Sequence, residues 1–262
     1  SALPADPRRT DGGRPSPAPS APRRSMRARA ALVTERGPDG RTVLVAMRSD
    51  PPLTLRRTGP GRVHLVSTAA GPLGGDDLAL DIEVGPGSEL EVLSVASTLV
   101  LPGTGESALT VTARVGAGAS LRFAPEPTVL AAGCLHRSAV RLTLEEGARV
   151  SWREEIVFGR YGERPGRCHA RFDAVTPAGP LLRQELVVGD PVTDGSPAVY
   201  GDARCVGSVL VTGRAPASSV GDGWAMLPLA GPGTLVSALA ADAVELRRRL
   251  DEGLSRLPGT GT

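Results

Sequence analysis

The chain has 262 residues, 30 arginines against 28 acidic residues, and only two Tyr, three Phe and two Trp, so it lacks the basic, aromatic-rich face of a nucleic-acid binder, and no nucleic-acid partner is expected. Its 33 glycines and 24 prolines favour short strands and many turns over long helices, in one large domain. No stretch is apolar enough for a membrane span, and Cys134, Cys168 and Cys205 form neither a CxxC pair nor an even disulfide set, so a cytoplasmic protein with free thiols and no membrane partner is expected.

Residues 1–25 are low-complexity Pro, Ser, Ala and Arg and predict a disordered tail, because they cannot bury enough apolar surface to offset the entropy of ordering. The arginines have no apolar stretch behind them, so a secretory signal is not expected. From Met26 to Thr262 the sequence reads as a single β-rich domain. "RARAALVTERGPDGRTVLVAMRS" is two apolar runs around the turn Gly37-Pro38-Asp39-Gly40, a hairpin signal. Pro51-Pro52 then breaks the strand register.

An internal repeat follows. "LDIEVGPGSELEVLS", "LTVTARVGAGASLRFAP" and "VRLTLEEGARVSWREE" each carry an alternating strand, a Gly turn and a second alternating strand. The turns begin at Gly87, Gly118 and Gly147, and a looser fourth copy begins at Gly179. Alternation puts Leu109, Val111, Ala113 and Val115 on a buried face and Thr110, Thr112 and Arg114 on the other. Stacked units of this kind cover one another's open edges, as in a β-helix or a layered stack of antiparallel strand units. Apolar residues at 235, 236, 239, 243, 246, 250 and 254 have helical spacing and predict an amphipathic helix over about 233–257.

The chemistry-bearing residues are sparse. There is no GxSxG elbow, and no Lys exists to complete a phosphate loop. Cys134-x-His136 and Cys168-His169 offer zinc- or nickel-type donors, but neither local pair supplies more than two ligands, and ordinary packing is the simpler reading. Carboxylates stand out more. Asp76 and Asp77 follow a Gly-Gly turn, Glu126 sits between two prolines, and Glu154, Glu155 and Glu163 bracket Gly159-Arg160. Such acids leave open a β-solenoid carbohydrate-active enzyme or a structural β-repeat interaction module, although sugar binding calls for more exposed aromatics.

Four motifs in order resemble the urease accessory protein family UreD, called UreH in some species. They are "PPLTLRR", "GPLGGDDLALDIEV", "GASLRFAPEPTVL", and the box formed by Glu155, Ile156, Gly159, Arg160 and Glu163. The resemblance implies a non-enzymatic β-helical scaffold that binds urease apoprotein on one side, and UreF and through it the GTPase UreG on the other. It further implies nickel in transit through the interior rather than a tightly bound cofactor. Asp76, Glu126, Glu155 and Glu163 are the carboxylates expected along that path, since carboxylate oxygen holds divalent ions weakly enough to release them. Arg160 is expected to counter the charge of Glu155 or Glu163.

Overall fold

A computed structural model describes residues 25–67, 71–213 and 216–258. The predicted tail lies outside the described residues, apart from Ser25. The predicted hairpin is present: β1 (Arg27–Arg36) and β2 (Thr42–Arg48) pair antiparallel across the Gly37–Gly40 turn. Pro51 and Pro52 form the turn into β3 (Leu53–Gly59), which pairs with β4 (Arg62–Ser67).

The repeat then builds a solenoid. In each copy one strand runs in a first sheet, the chain turns at a glycine, and a second strand runs in a facing sheet. The copies are β5 (Asp77–Val84) with β6 (Glu89–Ser94), β8 (Ser107–Val115) with β9 (Ser120–Ala124), and β11 (Leu135–Leu144) with β12 (Arg149–Val157). Successive copies pair in parallel, β5 on β8 on β11 and β6 on β9 on β12, so the stack grows by parallel ladders. Gly87, Gly118 and Gly147 share a positive φ of 66°, 62° and 69°, a conformation that glycine adopts without steric cost. The turns also bond along the stack, Gly87 N–H to the Ala117 carbonyl and Gly118 N–H to the Glu146 carbonyl. Two short strands, β7 (Thr98–Val100) and β10 (Thr128–Leu130), pair in parallel as a third side.

The fourth copy departs from the plan. β13 (Arg167–Thr176) adds in parallel to β11, but the turn at Gly179 sends β14 (Gly179–Val188) back along β13 as an antiparallel hairpin in the same sheet. The first sheet is therefore ordered β14-β13-β11-β8-β5-β1-β2. A short helix, α1 (Pro191–Asp194), leads to β15 (Cys205–Thr212), β16 (Ser219–Gly221), β17 (Trp224–Pro228) and β18 (Gly233–Ala240). These extend the second sheet antiparallel, giving the order β16-β17-β18-β15-β12-β9-β6-β4-β3.

The helix expected over about 233–257 is shorter than its periodicity suggested. Residues 233–240 form β18, and the helix is α2 (Ala243–Leu254), capped by Asp242, whose side chain accepts from the Glu245 N–H. The physical reason is burial on both faces. Leu235 packs into the core between the sheets while Val236 and Ala238 pack under α2, so β18 is apolar in nearly continuous runs and its spacing mimics a helix.

The main core fills the space between the two sheets. It includes Leu80, Ile82, Val111, Val140 and Leu142 from one side and Leu90, Leu121, Phe123, Trp152 and Leu210 from the other. Trp152 stacks on Phe123 at 4.1 Å and meets Phe172 edge-on at 5.8 Å between ring centroids. A second cluster seats Leu246 and Leu250 of α2 on Val209, Met226 and Val236, on the outer face of the second sheet. A Cβ at Gly207 would come within 2.9 Å of Leu250, so the missing side chain lets the helix sit this close.

Candidate functional site

β12 is the strand on which the interior and the helix-covered face meet. Its alternation sends Val150 and Trp152 into the core between the sheets, and Glu154 follows them in phase. Arg153, Glu155 and Val157 point the other way, towards α2. Neighbouring acids thus lie on opposite sides of one sheet. The ladder beside them is interrupted. β9 pairs with β12 only as far as Trp152, and β10 resumes at Ile156, because Pro125 and Pro127 lack the N–H groups to continue it.

Behind this gap lies a cavity of about 170 Å³, room for several water molecules. Glu154 lines it together with Ser208 and Ser237, which stand beside it in register across β12, β15 and β18. The opposite wall carries His136, Ser138, Cys168 and Gln184 from the first sheet. Glu154 is half-buried by exposed area, but the surface it presents is cavity wall. Among the described residues no guanidinium or other cation pairs with it, and burial pushes its carboxyl up to about 7. His136 shares a 2.9 Å hydrogen bond between its Nδ1 and Ser107 Oγ, and burial lowers it to about 4, so its ring is neutral at physiological pH. Burial first, then the potentials of Cys134, Glu154 and Glu106, push the Cys168 thiol up to about 12. Of the acids that line the cavity, Glu154 is the one that burial brings close to half-ionised at neutral pH, and hydroxyl, amide, thiol and neutral imidazole groups share the wall with it. Among the described residues no group of three or more His, Cys, Asp or Glu is placed to hold a metal ion together.

The expected carboxylates fall in three places. Glu126 and Glu155 come together on Arg247 of α2. Glu126 takes its two terminal nitrogens at 3.3 and 3.2 Å, and Glu155 takes Nη2 at 3.1 Å and Nε at 3.4 Å. Arg153 adds a 3.5 Å contact to Glu155 and a 2.6 Å bond to Asp251. Both Glu126 and Glu155 also border the cavity, at the gap in the ladder. Asp76 lies elsewhere, buried, accepting from the backbone N–H groups of Met26 at 2.8 Å and Leu73 at 2.9 Å. Glu163 lies in the loop after β12, bonded to Arg160 and to the Ala132 N–H. The Arg160 guanidinium holds its carboxyl down at about 2. Arg160 thus pairs with Glu163, as expected, while the partner of Glu155 is Arg247 of α2.

Glu154 is the residue that sequence reasoning passed over in favour of its neighbour. The signal was present: Glu154 shares the phase of Val150 and Trp152, and a carboxylate on the apolar phase of a strand faces the interior. The cysteines and histidines divide as ordinary packing. Cys134, Cys168, Cys205 and His136 are buried, whereas His169 is outside, 3.6 Å from Glu185.

Comparison with known proteins places this geometry in a family. The family model described as UreD urease accessory protein matches residues 26–260. The urease accessory protein UreD of Parafrankia sp. (strain EAN1pec) is 46% identical over 94% of this chain and 93% of its own length. That of Frankia casuarinae is 44% identical, with 88% and 89% covered, and UreD 1 of Saccharopolyspora erythraea is 41% identical, with 89% and 96% covered. A match along nearly the whole described chain, carried by several relatives at this identity, leads to one assignment: the chain belongs to the UreD urease accessory protein family.

Proposed function

We propose that this chain is a non-catalytic scaffold of urease maturation, acting in the cytoplasm, that passes nickel through its interior to urease apoprotein. In this reading UreF, and through it the GTPase UreG, supply the ion at one surface, and the apoprotein receives it at another. The observation that carries the reading is the cavity between the sheets, with Glu154 on its wall and, among the described residues, no cation paired with it. A divalent ion moving through a low-dielectric interior needs negative charge along its way, and an isolated carboxylate with hydroxyl and imidazole neighbours stabilises it without trapping it. The Glu126–Glu155 pair stands at the gap in the ladder, where the same cavity wall is broken by the two prolines. Asp76 and Glu163 serve this reading as structural anchors, because their oxygens are held by backbone N–H groups and by Arg160.

The test is to fill the cavity without altering charge. Ser237→Phe and Ser138→Phe, each facing the cavity, should leave co-purification with UreF, UreG and urease apoprotein intact and sharply reduce nickel incorporated into urease. Normal nickel content with either large side chain in place would remove the interior route.

A further inference from the structure

The two ends of the first sheet are finished differently. At the C-terminal end the edge strand β14 is tied down: the Tyr200 hydroxyl donates to the Val187 carbonyl at 2.8 Å, and Asp194 accepts from the Gly189 N–H at 2.7 Å. Charges there are matched, Arg171 with Asp173 and Glu185. At the N-terminal end β2 is the edge of the first sheet and β3 the edge of the second, and each is paired on one side only. Among the described residues no loop or side chain bonds to the outer backbone groups of β2.

This open end is apolar and basic together. Val43, Val45 and Met47 of β2 are 45%, 48% and 41% exposed, and Leu44, Leu53 and Leu65 behind them are only partly buried against the core. Between residues 41 and 57 there are four arginines and one acid, Asp50, whose carboxylate is occupied by the Arg29 N–H at 2.7 Å. Arg48 and Arg56 have no carboxylate partner among the described residues, and Arg57 reaches only the Gly59 carbonyl. A stacked-repeat protein normally closes such an end with a polar cap or blunts the edge, since unpaired strand edges recruit other strands.

We propose that the β2 edge is a docking surface for an extended, acidic and apolar segment of another protein, which adds to the first sheet as a further strand. Backbone bonds to β2 supply affinity. The register shift at Val45 puts Val43 and Arg48 on the outer face and Met47 on the inner one, so apolar side chains cover Val43 and Met47 from either side and an acidic one meets Arg48 on the outer face. Charge selects this occupant over the others. A second copy placed edge to edge would bring the same unpaired arginines against one another. The chain's own residues 1–24 hold six prolines, which cannot donate to a ladder, and five arginines of the wrong sign.

The probe is a labelled peptide of about nine residues alternating Glu with Val and Thr, with a Lys-for-Glu peptide as control. The full chain should bind the acidic peptide, with hydrogen–deuterium exchange protection confined to residues 42–48, and bind the basic one more than about tenfold more weakly. Arg48→Glu, on the exposed surface, should abolish that preference at an unchanged melting temperature. Val45→Lys, retaining the fold, should weaken binding of the acidic peptide. Equal binding of both peptides, protection away from β2, a dimer that buries β2, or new β2 exposure on deleting residues 1–24 would each overturn the assignment.

Discussion

Glu154 and Glu155 are adjacent in the chain and live in different physical worlds. Glu155 is fully buried under α2 yet satisfied, because Arg247 and Arg153 surround it with charge-assisted bonds. Glu154 faces a cavity, pairs with no cation among the described residues, and sits close to half-protonated at neutral pH. The first arrangement fastens a helix to a sheet. The second keeps an acid uncommitted. The difference shows that burial alone does not fix the state of a carboxylate: what separates the two is whether a counter-charge stands beside it.

The largest expected effect breaks the fastened side. Arg247→Ala leaves Glu155 buried with only the longer contact from Arg153, and should destabilise the chain by about 2–3 kcal/mol in urea unfolding, discounted because Arg247 is itself partly exposed. Adding Glu155→Gln to that variant should recover part of the loss, because a neutral amide tolerates the site better than an unpaired charge. If Arg247→Ala unfolds like the wild type, the cluster is not what fastens α2.

The uncommitted side should appear in the pH dependence. Burial raises Glu154 from its ordinary 4.5 to about 7, so the folded chain holds a proton that the unfolded chain has lost, and this contribution to stability falls as pH rises from about 4.5 to 7. His136 acts in the opposite sense. Its lowering from 6.5 to about 4 gives stability present above 6.5 and lost as pH falls towards 4. The two slopes oppose each other between about 4.5 and 6.5 in the wild type. Glu154→Gln should expose the His136 slope, with stability rising with pH across that window, and should stabilise the chain above pH 7.5 by on the order of 2 kcal/mol. His136→Gln should leave stability falling with pH instead. Parallel profiles for the two variants in thermal melts would show that neither group titrates as described.

The smallest effect belongs to the pair that the sequence made conspicuous. Glu163 and Arg160 lie in a loop, with Arg160 56% exposed, so Glu163→Gln should leave the melting temperature close to that of the wild type at neutral pH. A large drop would show that the bonds from Glu163 to the Ala132 and Arg160 N–H groups organise more than this loop.

The strand stack was legible because its two signals are local. Strict alternation at Leu109–Val115 and glycines at 87, 118 and 147 name the strands and turns without knowledge of their neighbours. What failed depended on partners distant in sequence. β18 reads as a helix because α2 covers one face and the core the other, and the Gly179 turn reads as a fourth repeat although its strand folds back in the same sheet. The site was half legible. The glutamate box was found, but which of its acids faces inward requires the strand's phase, and the hold on Glu155 comes from Arg247, 92 residues away.

The most direct test of the central claim is charge reversal at Glu154 alongside Glu163, read as nickel per urease active site after activation with each variant. Glu154→Arg places a cation in the cavity that the proposed nickel route crosses, an unfavourable interaction of several kcal/mol at an effective dielectric of about 20. Nickel loading should collapse in Glu154→Arg, remain substantial in Glu154→Asp, and stay near the wild-type level in Glu163→Arg, with UreF and apo-urease still co-purifying in all three. Wild-type nickel content with Glu154→Arg, in a complex shown to be intact, would contradict the account.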